Sequence, residues 1–356
     1  MPPPAMDPLP VTILALATAS PPFALDQGEA VSLARDVLAS DFPEFERMSA
    51  VFASAGIHQR QLAMPVDWYR QPRAFPERSA AYVASACDLF ITAASRALYE
   101  AGLEACDIDT IVTASSTGIA TPSLEARVMG RMGFRADVVR IPVFGLGCAA
   151  GASGLGLAAK LARATPGGKV LFVTVELCSL AFRFQDVGKA DIIATALFGD
   201  GAAACILRVG DEGFASITGT AEATWPDTLD IMGWRIEDNG LAVVLNRAIP
   251  DFARQHLRAS METLLTGQAL DIASIDRFIC HPGGAKVVDA FEHALSLAPG
   301  TLDHERGVLR DHGNMSAPTA LFVLDRVRQG GMPPLSVLTA LGPGFTLSTV
   351  TLRAAA

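Results

Sequence analysis

Apolar positions along the chain follow two alternating patterns. Short runs rich in β-branched residues predict buried strands at 11–17, 108–115, 138–143 and 170–175. Longer segments, with apolar residues every three or four positions, predict helices over 26–55 (broken near Pro43), over 79–102, from Ser123 onward and after Cys148. Strands that alternate with helices in this way indicate an α/β fold with both faces of the sheet covered.

The second half of the chain repeats the order of the first at an offset of 166 or 167 residues. Residues 103–112 resemble 270–279, residues 169–175 resemble 335–341, and Gly147-Cys148 resembles Gly313-Asn314, each at the start of a helix. The agreement in order and offset predicts two related halves. Equivalent helix N-termini of two pseudo-symmetric halves face a shared centre, so we expect Cys148 and Asn314 to lie close together. The predicted division is a disordered, Pro-rich 1–10, a first half over 11–215 and a second half over 216–356.

Composition narrows the class of protein. The chain has 356 residues, 50% of them hydrophobic and 18% charged, which predicts a large buried core. The net charge of −9 argues against nucleic acid and anionic membrane surfaces as partners. Six scattered cysteines form no CxxC pair and no Cys/His cluster, so we expect free thiols, no metal site and a cytoplasmic location. The uncharged stretch 8–25 has no basic residues before it, and the uncharged stretch 141–159 holds five glycines, which fits a tightly packed core helix, so no membrane span is expected.

Cys148 is the strongest candidate for a nucleophile. It stands where an apolar strand gives way to a long Ala/Gly/Leu helix. Free backbone N–H groups and the helix dipole favour a thiolate at such a position, and the thiolate is the nucleophilic form. The alternative is that Cys148 is a small buried hydrophobe.

His281 and Asn314 are candidates for the same centre. His281 ends a predicted strand and precedes Pro-Gly-Gly, at the end of the sheet where α/β proteins bind ligands. Its imidazolium would stabilise the Cys148 thiolate, or its ring would donate to a developing oxyanion; otherwise it is a surface or core histidine. The amide of Asn314 is a donor suited to an enolate or oxyanion hole.

Four motifs together carry a family resemblance. Residues 145–148 (Gly-Leu-Gly-Cys), 281–284 (His-Pro-Gly-Gly), 313–316 (Gly-Asn-Met-Ser) and 341–345 (Leu-Gly-Pro-Gly-Phe) resemble the signatures of type III polyketide synthases, the chalcone synthase-like family. The resemblance runs from Val11 to Arg353. It implies a thiolase-like, layered αβαβα fold of two pseudo-symmetric halves, a homodimer, and a Cys-His-Asn triad on Cys148, His281 and Asn314.

The resemblance also implies a reaction. Cys148 would take an acyl group from a CoA starter, and His281 and Asn314 would hold malonyl-CoA while it decarboxylates to an enolate. Repeated condensation and cyclisation would follow, with no metal or redox cofactor. Residues 115–123, 189–196 and 232–234 resemble bacterial members that make alkylpyrones or alkylresorcinols from fatty acyl starters.

Further site residues follow from the resemblance. Phe198 matches a gatekeeper between a CoA tunnel and the cavity, and the remaining pocket positions fall on Ser116, Thr117, Thr121, Cys178, Leu180, Ala181, Ala194, Val243 and Ser316. Ala181 and Val243 would leave room for a long acyl chain, whereas Ala194 replaces a family glycine and would narrow it. Ser116, Glu176 and Ser316 match a hydroxyl–carboxylate–hydroxyl network that activates water; a purely structural Glu176 is the alternative.

The sequence leaves open which molecule delivers the acyl units to the enzyme and how many condensations follow. Arg47 matches a contact to CoA phosphate, but Glu44 and Val51 stand at the other basic positions of that patch, which leaves an acyl carrier protein as a possible donor. A ketoacyl synthase III-type enzyme, which condenses once, is the alternative within enzymes. A catalytically silent thiolase-fold binding protein is the alternative of another class.

Overall fold

The computed structural model describes residues 10–182 and 187–355, and its centre is a mixed sheet of nine strands. The strands of the chain are β1 (Val11–Ala19), β2 (Phe23–Asp26), β3 (Gln59–Leu62), β4 (Thr110–Ala114), β5 (Val139–Val143), β6 (Lys169–Leu177), β7 (Asp200–Val209), β8 (Ala215–Thr224), β9 (Met232–Glu237), β10 (Gly240–Leu245), β11 (Arg277–Cys280), β12 (Leu335–Gly342) and β13 (Thr346–Ala354). The α-helices are α1 (Gln27–Leu38), α2 (Phe45–Met48), α3 (Ala50–Ser54), α4 (Phe75–Ala101), α5 (Leu124–Met132), α6 (Ala150–Ala164), α7 (Lys189–Leu197), α8 (Ile249–Thr266), α9 (Ala285–Ala294), α10 (Asp303–His312) and α11 (Ala317–Gln329).

The order of strands in the large sheet shows an internal two-fold relation. The order is β11-β12-β13-β8-β1-β7-β6-β4-β5. In each half a parallel pair (β11–β12, β4–β6) is followed by antiparallel strands toward the middle. The halves join where Val11, Thr12 and Ile13 of β1 pair with β8. The strands that the sequence repeat relates, β4 with β11 and β6 with β12, therefore occupy equivalent places.

Five layers result from the way the helices cover this sheet. Helices α6 and α11 contact each other and pack on strands of both halves, in the middle of the molecule. Helix α4 covers the outer face of the first half, and α8 and α9 cover that of the second. The layers therefore follow the predicted αβαβα order.

Local sequence explains where several helices begin and end. Helix α4 ends at Gly102, whose φ of 64° suits glycine, and α5 starts after Ser123. The helical segment predicted over 26–55 is interrupted near Pro43, as expected, because proline has no N–H to donate and disfavours helical backbone before it. A second break at Ser49 divides α2 from α3. Cys148 lies in a short 3-10 turn, Gly147–Ala149, which leads directly into α6.

Two further predictions concern the first ten residues and membrane-spanning helices. The stretch 1–10 predicted as disordered falls outside the described residues except for Pro10, whose carbonyl accepts a hydrogen bond from Gly210 N–H at 2.9 Å. Within 10–182 and 187–355, every helix is too short or too polar to cross a bilayer.

Candidate active site

Cys148, His281 and Asn314 lie on one buried cavity, each at the end of a different connection. Cys148 follows β5, His281 follows β11, and Asn314 follows α10. All three line the same cavity of about 240 Å³, and their exposed fractions are 7%, 2% and 3%. The pseudo-symmetric halves therefore bring Cys148 and Asn314 together, as their place in the repeat predicts.

Gly147 sets the approach to Cys148. Its φ is +49°, in the left-handed region, and a Cβ there would lie 2.7 Å from Cδ of Pro343. Only glycine satisfies both conditions without strain. The Gly-Cys and Gly-Pro-Gly motifs of the two halves thus pack on each other beside the cavity.

Burial of Cys148 disfavours the thiolate that is expected from its place at a helix start. Burial raises the pKa of Cys148 to about 11. The thiol donates to Ser316 Oγ at 3.5 Å, and the side chains of Ser316 and Asn314 stabilise the thiolate form, which opposes this rise in pKa but does not cancel it. The desolvation of the anion outweighs these donors and the helix start.

His281 is neutral in the same site. Burial lowers the pKa of its imidazole to about 4, and neither ring nitrogen has a hydrogen-bond partner among the described residues. The pairing of an imidazolium with the Cys148 thiolate is therefore not seen. A buried, unpartnered N–H facing a cavity is suited to a ligand oxygen, which was the other predicted role.

Hydrogen bonds hold the side-chain amide of Asn314 in place at the cavity wall. Its Oδ1 accepts a hydrogen bond from Ser316 N–H at 2.8 Å, and its Nδ2 donates to the Gly283 carbonyl at 3.1 Å. One amide hydrogen is thereby used, and the amide also stabilises the Cys148 thiolate, so its second hydrogen serves the side of the cavity where Cys148 lies. Its backbone is fixed to Leu197 and Gly199 by hydrogen bonds of 2.9 and 3.0 Å.

Glu176 is buried beside the site, but its partners differ from the predicted network. Its Oε2 accepts from the N–H of Ser116 at 2.9 Å and from the N–H and Oγ1 of Thr117 at 3.0 and 2.7 Å. The Ser116 hydroxyl instead accepts from Gly147 N–H, and Ser316 contacts Cys148. Consecutive residues point in different directions, so the hydroxyls that reach the carboxylate are those of Thr117 and, at 3.5 Å, Ser115 rather than that of Ser116. Burial raises the pKa of Glu176 to about 7.

Several predicted pocket residues line the main cavity and several do not. Those that line it are Thr117, Cys178, Phe198, Val243 and Ser316. Ser116 and Ala194 are buried behind the wall, and Leu180 and Ala181 line a separate small cavity of about 20 Å³. Ala181 therefore does not enlarge the main cavity, and Ala194 does not narrow it. In the structure these four residues lie outside the lining of the main cavity.

Two predicted contacts lie on the surface of the chain. Thr121 is exposed in the connection between β4 and α5, outside the lining of this chain's cavity. Arg47 is exposed, pairs with Glu44 at 3.6 Å and is also absent from the cavity lining. The structure places both residues outside the cavity lining, and their contacts with substrate stay predictions.

Phe198 stands at the C-terminal end of α7, where the wall of the cavity is rigidly held. Its carbonyl accepts from the buried guanidinium of Arg60 at 3.0 Å, which also donates to the carbonyls of Thr195 and Ala196 at 2.7 and 2.9 Å. A β-bridge joins Phe198 to Asn314. The backbones of the predicted gatekeeper, Phe198, and of the predicted amide donor, Asn314, are therefore held side by side.

Sequence reasoning missed most of the cavity wall. The β9–β10 hairpin contributes Met232, Trp234 and Val244, helix α7 contributes Ile193 and Leu197, and Arg247 and Lys286 lie at the exposed side. Ile193, Met232 and Trp234 lie in segments that carry the family resemblance, but only the fold shows that they and the other residues line the cavity. In the described ranges, groups of three or more His, Cys, Asp or Glu able to hold a metal ion are absent.

Known proteins resemble this chain along both halves. Sequence models described as the N-terminal and C-terminal domains of chalcone and stilbene synthases match residues 8–211 and 217–356. A 1,3,6,8-tetrahydroxynaphthalene synthase of Streptomyces peucetius subsp. caesius is 39% identical over 350 residues, covering 96% of this chain and 93% of the relative. A putative chalcone synthase of Bacillus subtilis (strain 168) is 34% identical, with coverages of 94% and 96%. The crystal structure of 1,3,6,8-tetrahydroxynaphthalene synthase from Streptomyces coelicolor A3(2) superposes with a TM-score of 0.91 at 27% identity, covering 97% and 99% of the two chains.

Proposed function

The chain belongs to the chalcone and stilbene synthase family, the type III polyketide synthases, and we propose which substrates and residues its reaction uses. In this proposal Cys148 takes a fatty acyl group from CoA and the enzyme extends it with malonyl-CoA. The extended chain then cyclises in the cavity to an alkylpyrone or alkylresorcinol. The observation that carries the proposal is the convergence of a buried thiol, an unpartnered imidazole and a fixed amide donor on one mainly apolar cavity.

Loading is a thioester exchange on Cys148. As Sγ attacks the thioester carbonyl, its proton passes to the neutral imidazole of His281 and then to the sulfur of the departing CoA. A bond from Sγ to the acyl carbon forms and the bond from that carbon to the CoA sulfur breaks. Because the thiol has a pKa of about 11, this transfer must accompany the attack rather than precede it.

Decarboxylation of malonyl-CoA uses the other two residues. The bond from the methylene carbon to the carboxylate breaks, CO₂ leaves, and the electron pair moves into the thioester, whose oxygen becomes an enolate. N–H donors of His281 and Asn314 stabilise that oxygen, and a neutral imidazole is a sufficient donor. The enolate carbon then attacks the acyl group on Cys148, and the thiolate leaves as the chain grows by a two-carbon unit.

A fatty acyl starter is favoured by the lining of the cavity. Ile193, Leu197 and Met232, with Trp234 and Val243, present apolar surface to it. Each methylene buried there contributes about 0.8 kcal/mol, or roughly fourfold in binding. A second candidate, a malonyl starter that yields a naphthalene product, is favoured by the 39% identity to a protein named for that product.

The decisive experiment is a starter panel analysed by mass spectrometry. The purified protein is incubated with malonyl-CoA and acyl-CoAs from acetyl to palmitoyl, with Cys148→Ala as the inactive control. The proposal expects alkylpyrones or alkylresorcinols, with kcat/KM rising with chain length until the cavity is full. A naphthalene product from malonyl-CoA alone would favour the second candidate.

The same panel distinguishes the two broader alternatives. A single β-ketoacyl product without any pyrone would identify a ketoacyl synthase III-type reaction. A protein that leaves Cys148 unacylated, and binds acyl-CoA equally well as Cys148→Ala, would be a silent binding protein.

We also propose that the enzyme is a homodimer. Strand β5 ends the sheet, and Val139, Phe144 and Ile119 near it are 53%, 57% and 54% exposed. An apolar edge strand is a surface that a second copy can cover. Light scattering should give twice the mass of the chain for the wild type and the mass of one chain for the Val139→Asp, Phe144→Asp double variant.

The proposed cycle needs no metal ion or redox cofactor, because the substrates supply all the atoms and electrons that thioester exchange and decarboxylation require. Dialysis against a chelator should leave the activity unchanged.

We place the enzyme in the cytoplasm, where thiols stay reduced, because all six cysteines are free. Cell fractionation tests this location.

A further inference from the structure

A second cavity lies on the other side of helix α7 from the candidate active site. Its volume is about 50 Å³, against about 240 Å³ for the main cavity. Ile193 and Leu197 of α7 line the main cavity, whereas Thr195, on the opposite face of the same helix, lines the second one. The two cavities share none of their described lining residues, so the second cavity is a separate site.

The walls of the second cavity are mainly apolar. Helix α1 supplies one whole side, with Ala30, Leu33, Ala34, Val37 and Leu38. Leucines of β2 and β3 line it as well. Of the described residues that line this cavity, Arg60 alone carries a charge.

Arg60 is buried at this cavity, and one of its five N–H groups lacks a partner. The residue is 1% exposed. Four N–H groups donate to neutral oxygens, namely the side-chain oxygen of Gln27 and the carbonyls of Thr195, Ala196 and Phe198. The fifth, on Nε, has no acceptor among the described residues. A buried donor of this kind is costly unless a ligand or a water molecule supplies an oxygen.

The guanidinium of Arg60 keeps its positive charge near neutral pH. Burial lowers its pKa to about 10, and attraction to Asp200 opposes this fall. Asp200 does not line the cavity, and its carboxylate oxygens accept hydrogen bonds from Ala63 and Ser179 instead. A buried cation with an unused N–H, beside apolar walls, favours a ligand that joins an anionic oxygen to an aliphatic chain.

We propose that the second cavity binds a fatty acid no longer than octanoate. The Nε–H of Arg60 donates to the carboxylate, and the aliphatic chain packs on the apolar side of α1. The small volume of the cavity excludes longer chains. The bound acid lies against the helix end that carries Phe198, because Arg60 also holds the carbonyls of Ala196 and Phe198.

Isothermal titration calorimetry of the full chain with octanoate tests this site. Ala34→Leu and, separately, Ala30→Leu fill the cavity from α1, and Ser32→Leu is the matched control because it adds the same side chain on the exposed face of that helix. Val243→Phe narrows the main cavity instead. Octanol has the same chain without the carboxylate and tests the role of Arg60. Butanoate, hexanoate and dodecanoate measure the dependence on length.

Octanoate should bind the wild type, Ser32→Leu and Val243→Phe alike. Each cavity-filling variant should bind it about tenfold or more weakly, because the packing of two or more methylenes is lost. Octanol should bind the wild type about tenfold to a hundredfold more weakly than octanoate, the effect of losing a charge-assisted hydrogen bond. Affinity should rise about fourfold per methylene from butanoate and stop rising by octanoate, when the cavity is full.

The inference is wrong if the wild type does not bind octanoate, or if octanoate and octanol bind equally. It is also wrong if affinity keeps rising to dodecanoate, or if Val243→Phe weakens binding and the α1 variants do not, since both results place the ligand in the main cavity. Melting temperatures show whether the α1 variants fold; if neither does, octanol and Val243→Phe decide. Condensation activity enters none of these outcomes, so failure of the proposed function is a separate result.

Discussion

At the scale of single residues, burial decides the protonation of the site. If the helix start and the mutual attraction of the two groups decided their charge, Cys148 would be a thiolate and His281 an imidazolium. Instead burial raises the pKa of the thiol to about 11 and lowers that of the imidazole to about 4, so both are neutral near pH 7. A neutral pair avoids the cost of two desolvated charges and leaves the imidazole N–H able to donate.

Alkylation of Cys148 by iodoacetamide should therefore depend steeply on pH. Only the thiolate reacts, so the rate should rise about tenfold per pH unit and approach a plateau only near pH 11. Peptide mass spectrometry in a Cys106→Ala background, which removes the exposed thiol, follows Cys148 alone. Ser316→Ala should shift the profile to higher pH, because it removes a hydrogen bond that lowers the pKa of the thiol. A plateau below about pH 8 would show that the thiolate is already formed.

Asn314→Asp should separate decarboxylation from loading. Aspartate keeps the acceptor for Ser316 N–H but has no N–H to give to the enolate oxygen. Release of CO₂ from malonyl-CoA should fall by about 10²–10³-fold, the usual effect of losing one oxyanion donor. Acylation of Cys148, followed by intact-mass spectrometry, should persist. Equal loss of both steps would argue that Asn314 acts by holding the fold.

At the scale of elements, the contact between α6 and α11 positions the reacting groups. Cys148 precedes α6 and Asn314 precedes α11, so the spacing of these two helices sets the spacing of the two side chains. The helices meet where Gly151 faces the carbonyl of Ala317: a Cβ at Gly151 would lie 2.5 Å from that oxygen. The small residue permits the close approach.

Gly151→Ala should lower both stability and activity. Overpacking of this kind costs about 1–3 kcal/mol in the free energy of unfolding, measured by urea denaturation. Separation of the helix starts should also lower kcat by about tenfold or more. Gly130→Ala is the matched control, because Gly130 is an exposed residue of helix α5 and a Cβ there would meet no neighbouring atom within 4 Å, and it should add about 0.4–1 kcal/mol to the free energy of unfolding. If the two variants behave alike, the close contact of α6 and α11 is not what requires glycine.

At the scale of the whole molecule, buried acids make the stability of the fold depend on pH. Glu176 is fully buried, and its pKa rises from 4.5 to about 7 because the carboxylate is desolvated. Between these two values the folded chain keeps a proton that the unfolded chain releases. The free energy of unfolding therefore falls as pH rises through this window, by about 3 kcal/mol for this one group.

Glu176→Gln tests this dependence, because glutamine still accepts hydrogen bonds but does not titrate. The difference in the free energy of unfolding between wild type and variant should change by about 3 kcal/mol from pH 4.5 to pH 8, with the wild type relatively weaker at the higher pH. Other buried groups, such as Asp200 and Glu305, titrate in both proteins and cancel in the difference. A difference that does not vary with pH would mean that Glu176 keeps its ordinary pKa in the folded protein.

Periodicity and motifs predicted much of the fold and the centre of the site. The strands near 11, 110, 139 and 170 and the long helix α4 follow from local patterns of apolar residues, and the repeat relates the two halves. Local position suggests Cys148, His281 and Asn314, because each stands beside a glycine-marked turn, and the repeat and the four family-like motifs join them into one site. All of these are patterns along the chain, so the sequence alone determined them.

Only the tertiary structure decided which side chains face the cavity and what charge they carry. Whether Ser116 or Thr117 reaches Glu176 depends on the direction of two adjacent side chains, and the place of Arg47 against that of Arg247 and Lys286 depends on contacts across the halves. The neutral state of Cys148 likewise arises from burial by elements far apart in sequence. Direction and desolvation are properties of packing, and no pattern along the chain encodes them locally.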